Sequence, residues 1–262
     1  IFASLTNLIL VLVLGIFFGV TGIYIAFATY YIVVSFFAFR LLNKQIKKFS
    51  FKIQFETDLV KKLFIFSIIT ISSICISNFT LITIREILSS SSLPENYSGY
   101  WQGVWNLSQI IMSFITILLS TYLLPVVSKS NCFKEINIEI LKTLRLIIPL
   151  SVFFSTFIFF LREPIILILF TKEFLPMADL FFWQFAGNVI KSIAWIFGFV
   201  FVAKGLVKIS VITEVVTSLF FIFSCLLLVT LKIESAPTFS YFLTSSFHLI
   251  IMFYLYFKIS IK

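Results

Sequence analysis

Charged residues are scarce in this sequence. Only 12% of the 262 residues carry a charge, 60% are hydrophobic, and the mean hydropathy is +1.12, whereas a soluble domain is about 25% charged. This composition excludes a water-soluble globular domain, and it also excludes a disordered chain or a coiled coil, which need many polar residues. The bilayer is therefore the expected solvent, and no length remains for a soluble catalytic domain.

Paired cysteines and the short motifs of enzyme chemistry are also missing. The three cysteines, Cys75, Cys132 and Cys225, form no CxxC pair, so they predict neither a disulfide framework nor a metal site. No GxSxG, HExxH or glycine-rich phosphate loop occurs in the sequence. We therefore expect no cofactor, no metal and no enzyme activity.

Long apolar runs dominate what is present. A transmembrane helix needs about 20 predominantly apolar residues, and eight runs approach or exceed this length. They are 3–20, 23–42, 60–84, 99–127, 143–161, 177–203, 209–231 and 238–257. Gly19 and Gly22 predict a tight turn between the first two runs, and the short run 165–170 is expected to extend the preceding helix or lie at the interface. The sequence thus predicts an all-α fold, a polytopic membrane helical bundle with about eight transmembrane helices.

The distribution of lysine and arginine predicts the orientation. If the first run crosses outward, fifteen of the 20 basic residues fall on the inner side and four on the outer side. The four outer ones are Arg85, Arg162, Lys172 and Lys232. This asymmetry fits the positive-inside rule, so the net charge of +9 reports topology rather than nucleic-acid binding. The basic segment 43–62 is in addition a candidate contact for anionic lipid headgroups.

Two runs carry polar residues at helical spacing. In the fourth run six polar residues recur every three or four positions, which places them on one helix face. They are Gln102, Asn106, Gln109, Ser113, Thr116 and Ser120. In the sixth run Gln184, Asn188, Lys191 and Trp195 share one face in the same way. Such amides either bind sugar hydroxyls or hold helices together, and both interpretations stay open.

Lys191 is the most unusual residue of these two stripes. About twelve residues separate it from either end of its run, roughly 18 Å along the axis. Its ammonium group is therefore expected to face a hydrated cavity and to bind an anionic substrate. An ion pair with Glu214 is the alternative. Glu214 and the single histidine, His248, lie within other runs and are candidates for carrying a coupling proton.

Several blocks of the sequence resemble a known family in their order and separation. They are Gly99-Tyr100-Trp101-Gln102-Gly103, Tyr122-Leu123-Leu124-Pro125, and Asp179-Leu180-Phe181-Phe182-Trp183-Gln184 followed by Gly187, Lys191 and Ala203-Lys204. These blocks resemble the Wzx-type translocases of O-antigen and enterobacterial common antigen (lipid III). That family contains lipid-linked oligosaccharide flippases of the multidrug/oligosaccharidyl-lipid/polysaccharide exporter superfamily. The likeness extends more diffusely over essentially the whole chain.

This resemblance implies a transporter of twelve spans in two six-helix halves, of which the chain would hold the last eight. Residues 1–42 would be the last two helices of the N-terminal half, 43–62 a basic cytoplasmic linker, and 63–262 the C-terminal six-helix half. Ile1 is not a methionine, so we expect the natural start to lie upstream. The sequence departs from the family at Asn188, which replaces an aspartate.

The function that the resemblance implies is a flippase. It would move an undecaprenyl-diphosphate-linked oligosaccharide, either an O-antigen or an enterobacterial common antigen repeat unit, from the cytoplasmic to the periplasmic leaflet of a Gram-negative inner membrane. Lys191 is then the expected contact of the diphosphate. The expected glycan contacts are Gln102, Asn106, Gln184, Asn188, Trp101 and Trp195. Membrane lipids are further partners, a polysaccharide polymerase and a chain-length regulator are candidates, and no nucleic acid is expected.

Two other functions remain open from the sequence. A cation-coupled multidrug exporter of the same superfamily would need a buried carboxylate cluster for a cationic substrate, where this sequence has Lys191. A membrane-embedded polysaccharide-processing enzyme would need a long outward loop with catalytic polar residues, and the predicted outward loops are short.

Overall fold

The computed structural model describes residues 2–46, 56–91, 93–94, 96–130 and 132–260, and every regular element among them is helical. The α-helices in these residues are α1 (Phe2–Ile46), α2 (Thr57–Ser89), α3 (Tyr97–Leu118), α4 (Leu124–Lys129), α5 (Phe133–Phe160), α6 (Arg162–Leu169), α7 (Phe181–Ala203), α8 (Val207–Thr230) and α9 (Ala236–Ser260). Seven helical stretches of the described chain are long and apolar enough to cross a membrane. The chain is thus an all-α, multi-pass membrane protein, as predicted.

Helix α1 contains a reversal of the chain. Gly19 has φ 58° and ψ −139°, a conformation outside the helical region that glycine adopts at no steric cost. A Cβ atom built on Gly22 would overlap the carbonyl oxygen of Leu14, although eight residues of continuous helix would separate the two positions by about 12 Å. The predicted runs 3–20 and 23–42 are therefore two helical arms that fold back at Gly19. This reversal explains why one stretch is found where two spans are predicted.

Helix α7 lies at the centre of the compact unit Lys61–Lys262. Half of the apolar window that includes α7 is buried, more than in any other crossing stretch of the described chain. The helix packs chiefly on α9 and α5, and less extensively on α3. Its polar side chains are therefore surrounded by other helices, and their partners have to come from those neighbours.

Helix α5 begins earlier than hydropathy predicts. The apolar pattern places its start at 143, whereas the helix starts at Phe133. The first turns carry Glu139 and Lys142, which form an ion pair of 2.6 Å, and the Tyr122 hydroxyl donates a hydrogen bond of 2.8 Å to Glu139. A search for apolar runs misses such turns because a helix needs apolar residues only where it crosses hydrocarbon.

Two further predictions concern the short run 165–170 and the basic segment 43–62. The run 165–170 does not extend α5, because Leu161 leaves the helical region at φ −95° and ψ 13° and a separate helix, α6, follows. Pro164 lies in the first turn of α6, where the missing N–H has no partner to lose. Of the predicted basic linker 43–62, residues 47–55 lie outside the described residues, 43–46 belong to α1 and 57–62 belong to α2.

The helix that begins as α3 changes its winding before it ends. A π-helical turn, Leu119–Leu123, joins α3 to α4, and the Leu124 N–H bonds to the Leu119 carbonyl five residues earlier. Pro125 follows directly; a proline has no N–H and its ring conflicts with the carbonyl four residues before it. The wider turn thus accommodates the proline without ending the helix.

Candidate functional site

A buried group of polar side chains joins α3, α7 and α9. The Asn188 Oδ1 atom accepts hydrogen bonds from the Ser108 hydroxyl at 2.8 Å and from the Tyr241 hydroxyl at 3.0 Å. The Gln184 Nε2 atom donates to the Ser108 hydroxyl at 3.1 Å. Ser108, Gln184 and Asn188 are completely buried and Tyr241 is 1% exposed. We refer to these four residues as the amide cluster, and its members hold three helices together by hydrogen bonds.

A glycine permits the close contact between α7 and α9 at this level. A Cβ atom built on Gly187 would lie 2.7 Å from Cδ1 and 2.9 Å from Cε1 of the Tyr241 ring, and 3.3 Å from the Phe242 Cα atom. Any side chain at this position would therefore move the ring or the backbone of α9. Because Gly187 has no Cβ atom, the Tyr241 ring can pack directly against the backbone of α7.

Lys191 lies one turn after Asn188 on the same helix. Its Nζ atom is 5.0 Å from the centroid of the Tyr241 ring and 5.8 Å from that of Trp195, which is within the range of cation–π attraction. Among the described residues it has no carboxylate oxygen within 4.0 Å; the ion pair found there joins Glu139 and Lys142. Lys191 thus keeps its three N–H donors available while two aromatic rings face its charge.

The Lys191 side chain lines a cavity of about 400 Å³ in the unit Lys61–Lys262. We call it the lysine cavity; its ionisable groups are Lys191, Glu214 of α8 and His248 of α9, and Trp195 lines it as well. Hydroxyl side chains form much of the remaining wall, including Ser73, Ser77, Thr116, Ser210, Thr244 and Ser245. The hydroxyls of Ser210 and Thr244 are buried without a hydrogen-bond partner in the described part of the chain. The wall therefore has polar groups to offer to water or to a ligand.

Glu214 does not pair with Lys191, although both line the same cavity. Its carboxylate oxygens instead accept hydrogen bonds from two hydroxyls of α2, one from Ser73 and one from Ser77 at 3.1 Å. The predicted alternative of a Lys191–Glu214 ion pair is therefore absent from this conformation. Positive and negative charge coexist in the cavity without direct contact.

The polar stripe of α3 lies on a different surface. The Gln102 Oε1 atom accepts hydrogen bonds from Arg85 of α2, at 2.8 Å from Nε and also from Nη2, and Gln102 Nε2 donates to Asn106 at 2.7 Å. Arg85 and Asn106 are exposed on the unit Lys61–Lys262, and Gln102 is partly exposed. We call Arg85, Gln102 and Asn106 the open strip. Of the six residues predicted to share this face, Thr116 reaches the lysine cavity.

The structure divides the predicted site residues into three groups. Lys191, Trp195, Glu214 and His248 meet at the lysine cavity, and Gln102 and Asn106 belong to the open strip. The remaining three residues, Trp101, Gln184 and Asn188, are completely buried and line no part of that cavity. These three side chains have no accessible surface in this conformation, and their contact with a glycan stays a prediction.

Sequence reasoning passed over Ser73, Ser77 and Tyr241. A usable signal exists for the serines, since Ser73, Ser77 and Thr80 recur at helical spacing on α2, and Thr213 and Thr217 flank Glu214 on α8. A row of hydroxyls on one face of a membrane-spanning helix is a reasonable candidate for the partner of a carboxylate on another helix. Tyr241 carries no such signal, because its role depends on Gly187 of another helix.

Comparison with known proteins identifies the family. The profile of the polysaccharide biosynthesis protein family matches residues 1–179, more than half of the chain. The chain belongs to this family. The match includes α2, α3 and α5 and ends just before α7, so Lys191 lies beyond the matched residues.

Curated relatives support the resemblance seen in the sequence. Proteins named lipid III flippase from Escherichia coli (strain K12) and Shigella flexneri are each 33% identical to the chain over 152 residues. The alignment covers 53% of this chain and 36% of each relative, so the chain spans about a third of their length. No solved structure matches the chain.

Proposed function

We propose that this chain is part of a flippase that moves an undecaprenyl-diphosphate-linked oligosaccharide from the cytoplasmic to the periplasmic leaflet of a Gram-negative inner membrane. The observation that carries the proposal is the Lys191 ammonium group, which has no ion-pair partner in the described part of the chain and lies in a hydroxyl-lined cavity within the membrane-spanning bundle. The named activity of the 33%-identical relatives supports the same assignment.

Lys191 suits a diphosphate group for electrostatic reasons. An unpaired charge inside a membrane protein is costly and is retained mainly where it serves transport or binding. A lysine ammonium group presents three donors to phosphate oxygens, and charge-assisted hydrogen bonds are stronger than neutral ones. The hydroxyls of Ser210 and Thr244 lack partners in the described chain and can add neutral hydrogen bonds. The prenyl tail would remain in the lipid, where it needs no protein contact.

The open strip suits the glycan. Amide groups both donate and accept hydrogen bonds, which matches sugar hydroxyls, and Gln102 and Asn106 are arranged by Arg85 into one continuous polar surface. A polar surface on a membrane-spanning helix is unfavourable against hydrocarbon, so it is expected to face an aqueous path or another part of the transporter. Trp195, at the lysine cavity, would add an apolar surface for a sugar ring.

The buried residues of the predicted set would act indirectly. Asn188 accepts a hydrogen bond from Tyr241, Gln184 donates to the Ser108 hydroxyl that also bonds to Asn188, and the Tyr241 ring lies against Lys191. Trp101 packs against Trp105, which lies 5.4 Å from the Tyr241 ring. We assign all three to positioning the lysine rather than to contact with the glycan. An O-antigen or enterobacterial common antigen unit would be the cargo, and a polymerase with its chain-length regulator would act on what is delivered.

Complementation tests the proposal. In a flippase-deficient strain that expresses the transporter gene encoding this chain, Lys191→Ala is expected to reduce surface polysaccharide by about tenfold or more, the effect of losing one or two charge-assisted hydrogen bonds. Lys191→Arg keeps the charge and is expected to retain part of the activity. Lys232→Ala, in the turn between α8 and α9, is the matched control. Normal surface polysaccharide from a stably expressed Lys191→Ala variant would contradict the proposed function.

A further inference from the structure

The lysine cavity contains two opposite charges that do not meet. Lys191 and Glu214 line the same space, and they form no ion pair in this conformation. Opposite charges attract strongly where the effective dielectric constant is low, and an unpaired ammonium group is costly in a membrane. Some feature of the structure must therefore stabilise their separation.

Two hydroxyls of α2 provide that stabilisation. Ser73 donates to the Oε2 atom of Glu214 and Ser77 donates to its Oε1 atom at 3.1 Å. The two serines are four residues apart on one helix, so they lie on the same face, and each donates a hydrogen bond to one of the two carboxylate oxygens. Hydrogen bonds from hydroxyls to an ionised carboxylate are stronger than those between neutral groups.

The separated charges are close enough to pair if these bonds are lost. Lys191 lies twelve residues before the end of α7 and Glu214 seven residues after the start of α8, and a short connection joins these two helices. At 1.5 Å per residue the two Cα atoms differ in depth by roughly 8 Å. A flexible four-carbon lysine stem and a glutamate side chain can together bridge such a gap.

We infer that Ser73 and Ser77 are positioning residues that hold Glu214 on α2, and that Glu214 is an internal competitor for the anion-binding group of Lys191. This inference rests on the proposed function in one respect, namely that Lys191 binds an anionic group of the cargo. While α2 holds the carboxylate, Lys191 is free to bind that group. When α2 shifts relative to α8, Glu214 is released, pairs with Lys191 and displaces the bound anion.

This arrangement links ligand release to the position of one helix. The cargo's diphosphate and Glu214 require the same ammonium donors, so both cannot be fully bound at once. Glu214 therefore supplies the difference in affinity between two conformations that a transport cycle needs. The carboxylate acts through Lys191 and does not itself touch the substrate.

The first test needs no ligand. Unfolding of the full transporter in mixed micelles is measured for Lys191→Met, Glu214→Gln and the double variant, in the wild-type background and in the Ser73→Ala/Ser77→Ala background. The coupling between positions 191 and 214 is expected to be weak in the wild type and clearly more favourable once both serines are alanine. Ser72→Ala, which removes a hydroxyl outside the set bonded to Glu214 in the described structure, is the control background. Equal coupling in all three backgrounds would overturn the inference.

The second test measures competition directly, with inorganic pyrophosphate as the probe on the full transporter in nanodiscs. Ser73→Ala/Ser77→Ala is expected to weaken binding by about tenfold, within the usual range of a coupling free energy. Adding Glu214→Gln is expected to restore it, because an amide does not compete for the ammonium group. Serines that touched the ligand themselves, or that only supported the fold, would give no such rescue, and that result would contradict the inference.

The two tests separate this inference from the proposed function. If wild type and Lys191→Met bind pyrophosphate equally, the proposed role of Lys191 fails, while the unfolding cycle still decides whether the serines hold Glu214 away from it. If Lys191 is required for binding and the cycle shows no change of coupling, the proposed function stands and the role of the serines is refuted.

Discussion

Two successive turns of α7 place polar side chains on one face with opposite outcomes. Asn188 contacts Ser108 of α3 and Tyr241 of α9 and is completely buried. Lys191, one turn later, borders a cavity of about 400 Å³ and has no ion-pair partner among the described residues. Helical spacing thus determines which residues share a face, whereas the neighbouring helices determine whether that face is used for packing or for binding.

The largest combined effect, on stability and on binding at once, is expected at Gly187, because the Tyr241 ring that packs on it contacts both turns. Gly187→Ala places a methyl group 2.7 Å from the Tyr241 ring, so the ring has to shift, which weakens its contacts with Asn188 and Lys191. We expect a loss of stability of about 1–3 kcal/mol, as for other overpacked sites, together with weaker pyrophosphate binding. Denaturant unfolding in mixed micelles and a binding isotherm measure the two effects.

A second glycine of α7 supplies the control for that substitution. A Cβ atom built on Gly198 would have its nearest neighbour, the Met252 Cε atom, at 3.9 Å, which is ordinary contact distance. Gly198→Ala should therefore leave stability nearly unchanged or raise it slightly, since alanine favours helix. Equal losses at Gly187 and Gly198 would show that close packing of Tyr241 is unimportant.

The next prediction separates packing from binding. Asn188→Leu leaves the hydroxyls of Ser108 and Tyr241 without their acceptor, which should cost about 1–3 kcal/mol of stability and affect pyrophosphate affinity only modestly. Lys191→Met should do the reverse, abolishing measurable affinity while keeping or raising stability, because an unpaired charge is removed. The two variants are compared by unfolding and by binding. Parallel losses in both measurements would mean that the two turns form one functional unit.

The smallest effect is expected at the open strip. Gln102→Leu removes the amide that links Arg85 to Asn106, and the loss of neutral hydrogen bonds to a glycan should weaken binding of the lipid-linked oligosaccharide by about fivefold to tenfold. Inorganic pyrophosphate has no glycan, so its affinity should stay the same. Gln109→Leu, further along the same predicted stripe, is the matched control. A change in pyrophosphate affinity for Gln102→Leu would place the strip's role at the lysine cavity instead.

Much of the fold follows from hydropathy because the bilayer imposes a simple requirement on each span. The apolar runs predict the helices, and the pair Gly19 and Gly22 predicts the reversal within α1. The start of α5 at Phe133 could not be predicted in this way, since its first turns carry Glu139 and Lys142 and need no apolar residues. Hydropathy reports where a helix meets hydrocarbon, and the ends of a helix depend on other interactions.

The candidate site is less predictable, because the partner of each polar side chain comes from another helix that is distant in sequence. Lys191 is identifiable from depth alone, because a charge far from both ends of a span needs water or a ligand. The fate of Gln184 and Asn188 depends on Ser108, which is 76 and 80 residues away in sequence. Nothing in their spacing distinguishes amides that bind a partner helix from amides that bind a sugar.

The π-helical turn at Leu119–Leu123 has one more consequence. Each residue of an α-helix is rotated by about 100° around the axis from the one before it. A turn with one additional residue therefore rotates all later side chains around the axis, relative to their positions in an uninterrupted α-helix. The six-residue pattern that ends at Ser120 assumes uniform winding, so it holds only as far as the start of this turn. The segment Leu124–Lys129 therefore turns a different set of positions toward the protein, with Val127 buried where the segment packs on α7.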